Sequence, residues 1–581
     1  MLLMVVLIPI SIKVLISQNR NNMKNTILIL IISLFIVTFC FAQNSLPVKP
    51  ASFTVSPPIT QTITSTTYPT QSNVFPVAVE MYDTFYDSSI NAYAIDTFAS
   101  DGRDFIAKKI TTSFLIKNNS TLTVLPTGKI YRTKIIATGA LSIGLQFKNL
   151  YLGSGATLYI YTPDSLMIRG AYTSINNDSV FNFLPLTGST AIVEVFIPNG
   201  STWDSSLQIK GIEYYFINYV NVAQQQLSLI SSPTSADGCY ANVYCRTNYY
   251  GGIERSVVYW TAFDNGGNGF SCSGALINQN VPANSLKTYF LTANHCGQDA
   301  DLSTAIFNFI YQKSTCTATY PVAGLYTGLY TITGAWKKSS NGGPYVSTSG
   351  TDMYLMELKS KPSPELNVFY AGWDHRSYPS GSGDLMLGIH HPKNYDKRYS
   401  EGWLQRNVLV NKWRVKWNRN DEKYTDKGSS GSPLFEDVNG RIIGQLSTGP
   451  AKSGCDKLKS RFIWRYGKLY KSWGNLESFL DPTYSQTQLN GRIPCYDNLT
   501  MQNRTFPNAF DYQPTSLVKI QCGADMTFTP AIYGTSYFPN TFNYGANYLF
   551  TAGNSITIDA GGIDIPLGTT VEFNIGACTA Y

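Results

Sequence analysis

Lys427-Gly428-Ser429-Ser430-Gly431-Ser432-Pro433-Leu434-Phe435 is the stretch on which the reading of this chain turns. A serine hydroxyl is a poor nucleophile until a neighbouring base takes its proton. The backbone around such a serine must also turn tightly, so that its own N–H and that of the residue two before it face a developing oxyanion. Gly428, Gly431 and Ser432 supply the small residues, and Pro433 ends the turn before the apolar Leu434-Phe435. Alone, a Gly/Ser cluster is a plain loop. A second segment, Leu291-Thr292-Ala293-Asn294-His295-Cys296, brings a base beside a cysteine able to fix its loop. The two segments together predict Ser430 as nucleophile, His295 as base, and the N–H groups of Gly428 and Ser430 as oxyanion hole.

Only four histidines exist, so the search for a base is short. His390 and His391 are adjacent, and adjacent residues on a strand point to opposite faces. No cysteine or carboxylate nearby completes a zinc site, so these two are read as structural and no metal or cofactor is expected. His375 follows Gly372-Trp373-Asp374 in a predicted turn and is ambiguous. The third member of a triad is a buried carboxylate that orients the imidazole. Asp352 heads the apolar strand Met353-Tyr354-Leu355-Met356-Glu357-Leu358 and gives the order His, Asp, Ser; Asp374 and Asp384 open no comparable strand.

At 581 residues the chain is too long for one domain. Apolar residues make up 43%, enough for true cores, while charged residues are only 14% and the net charge is +7. Alternating apolar and polar residues, with Asn, Ser, Thr, Tyr and Gly on the surface, predict a β-rich extracellular protein. The charge is modest for this length and no nucleic-acid motif accompanies it, so no nucleic-acid partner is expected. Met23-Lys24, the apolar run 27–41 and Ala42 fit a signal segment, with Met23 as the expected start and a membrane anchor as the competing reading. Sequons at Asn118, Asn119, Asn177, Asn199, Asn498 and Asn503 fit export into a glycosylating host.

Six cysteines, Cys239, Cys245, Cys272, Cys296, Cys316 and Cys455, fall in one block, and Cys495, Cys522 and Cys578 follow. Their number fits an oxidising compartment and leaves one thiol over, but spacing alone does not pair them. The predicted organisation is a signal region over 1–42, an N-terminal β-sandwich-like segment and linker over 43–233, the six-cysteine block over 234–490, and a small β-rich tail over 491–581. No internal repeat is evident, and the one helix expected is a short one at 475–480. Tail aromatics such as Tyr533, Tyr537, Phe538, Phe542, Tyr544 and Tyr548 read as core first and as a platform for a surface or carbohydrate second.

These segments resemble those of chymotrypsin-fold serine proteases, and more closely the bacterial lysyl endopeptidase family. The resemblance covers roughly residues 234–488. It is carried by Cys239-Tyr-Ala-Asn-Val-Tyr-Cys245, Cys272-Ser-Gly-Ala-Leu-Ile, Lys313-Ser-Thr-Cys316, Tyr370-Ala-Gly-Trp-Asp374, Ile389-His-His-Pro392 and Ile443-Gly-Gln-Leu446, besides the two segments above. It implies an all-β protein with a pair of six-stranded barrels and the active site between them. It also implies bridges Cys239–Cys455, Cys245–Cys316 and Cys272–Cys296, and a propeptide that the stretch 129–219 resembles. The expected function is a secreted, monomeric serine endopeptidase made as a zymogen and acting on proteins or peptides. The competing reading is an inactive homologue that kept the barrels as a secreted binding or adhesion protein.

Two features depart from the pattern. Trypsin-like enzymes carry Asp just before the nucleophile to clamp a new N-terminus, whereas this chain has Ser429, so activation is expected to rest on removal of the N-terminal segment. Ser447, Thr448, Gly449 and Trp464 are the candidate substrate-binding residues. The family's lysine-binding acid aligns with Trp464, and Tyr424 stands six residues before Ser430, where trypsin-like enzymes hold theirs. Seven basic residues against one acid, Asp456, over 452–471, and no Lys or Arg between Gly211 and Cys245, further count against lysine specificity.

Overall fold

The structure, a computed structural model, describes a three-residue strand, Ile12–Val14, and the chain from residue 103 onward. Gaps in the description are 165–166, 218, 220–239, 247–251, 314–315, 317–330, 343–349, 378–383, 406–408, 418–423, 451–462 and short stretches beyond 496. The signal segment, the linker, Asp456, Cys239 and Cys455 lie outside the described residues.

Two barrels form the centre. In the first, Val257–Phe263 pairs with Asn268–Leu276, which pairs with Tyr289–Ala293, then Met353–Leu358, then the bent run Thr331–Thr333 and Ala335–Asn341, then Ile306–Asn308, which returns to Val257–Phe263. The second closes through Pro433–Glu436, Leu385–His390, Arg398–Gln405, Lys412–Trp417, Trp464–Lys468 and Ile442–Thr448. Each ring has no free edge, which is how antiparallel sheets avoid unpaired backbone. The all-β, double-barrel expectation therefore holds.

Strand side chains alternate between faces, yet Val257–Phe263 is buried at every position. The reason is that both faces are covered. Val258, Trp260 and Ala262 fill the first barrel. Tyr259 and Phe263 point outward into the core of an N-terminal sandwich with Ile143, Phe147, Ile212 and Tyr215. One sheet of that sandwich joins the barrel directly: Asp104–Leu115 lies against Gln208–Tyr215 and also pairs with Asn268–Ser271. The other sheet runs from Thr121–Leu125 through Gly128–Ile136 and Thr190–Pro198 to Thr157–Tyr161. The sandwich-like reading of this stretch is thus present, but its sheet is continuous with the first barrel.

Between the barrels lies a shared cluster including Leu291, Met353, Leu355, Leu387, Ile389 and Phe435. The helix Leu469–Leu480 seals it with Leu469, Trp473, Leu476 and Leu480. Each buried leucine there contributes about 1.5–3 kcal/mol. The helix is longer than the 475–480 expected, because its first turn follows directly from the strand Trp464–Lys468 without a capping residue to mark it.

The tail is a stack of parallel coils, although no repeat of fixed period is evident in its sequence. Cys495 lies opposite Gln521, Gln521 opposite Thr551, and Thr551 opposite Asn574; on a second face Leu499 faces Met526 and Met526 faces Ile556. Met526, Phe528, Tyr548, Phe550 and Val571 fill the interior, so Tyr548 belongs to the core. Cys495 is bridged to Cys578, and Cys522 is left as the buried free thiol. No helix among the described residues is long and apolar enough to cross a membrane.

Candidate active site

Strand register brings His295 and Asp352 together. Ala293 lies opposite Met353, so the residues just past one strand meet those just before the next. His295 sits in the single turn Asn294–Gly297, whose entry is held by Asn294 N donating to Asp352 O at 2.8 Å. His295 N donates to Asp352 Oδ1 at 2.9 Å, and His295 Nδ1 lies 2.8 Å from Asp352 Oδ2. A carboxylate only accepts, so the imidazole carries its proton on Nδ1 and its lone pair on Nε2. Both side chains are buried. Asp352 has φ +64°, a left-handed conformation costing about 1–3 kcal/mol outside glycine. Its main-chain bonds, including Asp352 N to Asn341 O at 3.1 Å, offset that cost.

The Ser430 turn is clamped between barrels. Ser273 N donates to Ser430 O at 2.9 Å and Gly431 N to Leu446 O at 2.8 Å, while Ser273 Oγ donates to Gly428 O at 2.9 Å. Gly431 has φ +81°, and a Cβ there would stand 2.1 Å from Thr292 Oγ1 and 2.7 Å from Ala293 N. Only glycine lets the turn approach the strand that leads to His295 so closely. Gly428, also at φ +81°, has His391 O 2.9 Å from where its Cβ would be. The bridge Cys272–Cys296 ties the His295 turn to the neighbouring strand, and Cys245–Cys316 is also formed. Cys272, His295 and Cys296 are the one His/Cys/carboxylate group of metal-like spacing among the described residues, but the two sulfurs are bonded to each other.

Ser429 replaces the ion pair of trypsin-like enzymes with neutral bonds. Its Oγ accepts from Asp426 N at 3.1 Å and lies 3.0 Å from His390 Nδ1, whose Nε2 is 2.9 Å from Ser400 Oγ. His391 stacks on Tyr311, and burial drives its ring well below the usual histidine range. His375 stacks on Trp473. Asp374 is spent on Arg376, whose Nε donates to both carboxylate oxygens at 3.0 Å. Neither His375 nor Asp374 joins the His295 cluster.

Of the candidate substrate-binding residues, Ser447 has its side chain turned to the acid, its Oγ donating to Asp352 Oδ2 at 2.7 Å. Trp464 stacks on Tyr424 at 5.8 Å and packs against Gly449, where a Cβ would lie 3.0 Å from the indole. Thr448 borders them at the end of its strand. Sequence reading missed two charged groups here. Lys412 Nζ donates to Ser447 Oγ at 2.7 Å. Asp104, opposite Ser271, accepts from Asn394 Nδ2 at 2.6 Å. Burial pushes the Asp104 carboxyl up to about 6, with Lys427 and Lys393 opposing and Asp426 adding to the rise.

Residues 234–461 match the family model of the lysyl endopeptidase C-terminal domain. Lysyl endopeptidase of Pseudomonas aeruginosa is 26% identical over 281 residues, covering 46% of this chain and 57% of that protein, so the chain spans little more than half of that relative. Among solved structures, the active form of the Rv3671c protease from M. tuberculosis aligns over 39% of this chain and 80% of its own, with 11% identity and a TM-score of 0.25. The HtrA-type protease AlgW with tripeptide aligns over 40% and 62%, with 17% identity and a TM-score of 0.27. With two closed six-stranded barrels and that family match over residues 234–461, this part of the chain resembles the lysyl endopeptidase family.

Proposed function

We propose that the chain is a serine endopeptidase, secreted and made as a zymogen whose N-terminal segment is removed. The observation that carries this reading is Asp352 holding His295 Nδ1 at 2.8 Å on a turn abutting the glycine-clamped Ser430 loop. Ser430 Oγ attacks the peptide carbonyl, His295 Nε2 takes its proton and returns it to the leaving amine, and the Gly428 and Ser430 N–H groups receive the oxyanion. The resemblance to lysyl endopeptidases suggests peptide substrates, but Trp464 and Tyr424 occupy the positions where a lysine-binding carboxylate would stand. A buried aromatic pair packs well against an apolar side chain, and Arg465 and Lys468, close to Trp464 in sequence, add positive charge that disfavours an ammonium. The preferred residue before the scissile bond is therefore non-basic, apolar or acidic.

Fluorophosphonate labelling of the processed protein, followed by peptide mapping, tests the activity: no adduct on Ser430 would support the inactive binding homologue instead. A peptide library then tests the preference. Cleavage after Lys with none after Leu, Phe or Glu overturns the pocket reading while leaving the endopeptidase intact.

A further inference from the structure

Behind the acid of the triad lies a buried ammonium. Lys412 opens the strand Lys412–Trp417 and is 6% exposed. Its Nζ donates to Ser447 Oγ at 2.7 Å, and Ser447 Oγ donates to Asp352 Oδ2 at 2.7 Å, the same oxygen that faces His295 Nδ1. The directions in this chain of bonds are fixed by chemistry. An ammonium has three donors and no acceptor, and a carboxylate accepts only. A hydroxyl between them must accept from the lysine and give its one proton to the acid. Hydrogen bonds in such a series strengthen one another in a buried setting.

We propose that Lys412 is a positioning residue for the proposed peptidase reaction, polarising Ser447 so that its hydroxyl proton stays on Asp352 and Asp352 stays aimed at His295. The inference rests on the endopeptidase reading. Lys412 is more buried than Arg414 and Lys416, the residues that share its side of the strand. The groups that face Lys412 are Asp352 from the strand-start beside it and Arg465 from the paired strand Trp464–Lys468. Burial pushes the Lys412 ammonium down to about 8, Asp352 holding it up and Arg465 pressing it further down. Once neutral, the amine gains a lone pair and can accept from Ser447, which frees the hydroxyl to turn from Asp352. Activity should then fall on the alkaline side, through the protonation of Lys412.

The test compares processed wild type, K412M, K412R, S447A and the double variant K412M/S447A on one peptide, from about pH 6 to about pH 10, with active sites counted by fluorophosphonate. K412M is expected to lower kcat roughly 10- to 100-fold with KM within about 3-fold, and to lose the alkaline limb. S447A should cost a similar factor, and the double variant no more than the larger single loss, because the two act in one chain of bonds. K412R keeps a permanent cation and should retain kcat within about 10-fold while its alkaline limb moves beyond the range measured.

A K412M enzyme with wild-type kcat and alkaline limb overturns the proposal, as does a double variant whose losses multiply. If K412M yields no titratable sites, K412R decides. An alkaline limb in K412R unchanged from wild type assigns that limb elsewhere, with Lys468 the other lysine pushed down to about 8 nearby, and refutes the relay. A wild type that takes no label sinks the endopeptidase reading itself, an outcome distinct from a labelled and fully active K412M, which sinks only the relay.

Discussion

Asp352→Asn isolates the orientation of the imidazole from everything else the acid does. The carboxylate takes His295 N on Oδ1, and both His295 Nδ1 and Ser447 Oγ on Oδ2. An asparagine has one oxygen and one NH₂ to fill those places. With its NH₂ toward the His295 main chain, two donors would face each other in a buried site, at about 1–3 kcal/mol. The other rotamer keeps the main-chain bond and aims NH₂ at Nδ1, which must then accept. The imidazole proton moves to Nε2, and the lone pair that should face Ser430 is gone. That tautomer error costs about 10⁴-fold in kcat in serine proteases, or about 5.4 kcal/mol of barrier. The fold should not suffer, because asparagine tolerates the left-handed φ of +64° better than most residues. The assay is kcat per titrated active site together with a thermal melt. A loss below about 10-fold, or a larger loss from Asp374→Asn, whose parent residue is committed to Arg376, would refute the assignment of the acid.

Ser430→Ala should lower turnover on the order of 10⁶-fold while leaving secretion and the melt unchanged, and more than a hundredth of wild-type turnover would name another nucleophile. Reduction without denaturant should inactivate the processed enzyme, since Cys272–Cys296 and Cys245–Cys316 close loops of 24 and 71 residues, worth about 3.4 and about 4.4 kcal/mol in the chain-entropy model; full activity with free thiols confirmed would count against this. Asp104 holds its proton in the docked state up to about pH 6 against an ordinary value of 3.8, so docking of the N-terminal sandwich is strongest at low pH and weakens as the pH rises through that window, on the order of 100-fold for this group. After cleavage within 220–239, co-migration of the two pieces should be greater near pH 4.5 than near pH 7.5 and lose that difference in Asp104→Asn; pH-independent release of the wild type is the contrary result.

The barrels were legible through the resemblance of whole segments, and the meeting of His295 with Asp352 through local signatures: a cysteine beside His295 and an apolar strand after Asp352. Lys412 was not. In Lys412-Trp413-Arg414-Val415-Lys416-Trp417 the cations alternate with apolar residues and read as a solvated strand face, and only the register with Trp464–Lys468 places the first of them under Ser447. Asp104 escaped for a related reason, since its burial depends on a strand pairing across 160 or more residues, Asp104 with Ser271. The coils of the tail were hidden because their spacing varies: Cys495 meets Gln521, but Gln521 meets Thr551, so no fixed period recurs. Ser447 stands in the sequence only as a candidate substrate-binding residue, and its bond to Asp352 becomes visible only in three dimensions.

The bridge Cys495–Cys578 joins the first coil of the tail stack to the segment just past its last strand. A stack of parallel coils is a one-dimensional object in which each coil touches only its neighbours, so it ordinarily frays from its ends inward. Stapling one end to the other removes that route: the terminal coil cannot peel away while the covalent ring stays closed. Melting of the tail then becomes a concerted event rather than a progressive one, and a single backbone cut inside the ring leaves both fragments tethered. A cut anywhere between Cys495 and Cys578 therefore frees no fragment until a second cut or reduction of the bridge follows, and the loss is then abrupt rather than gradual.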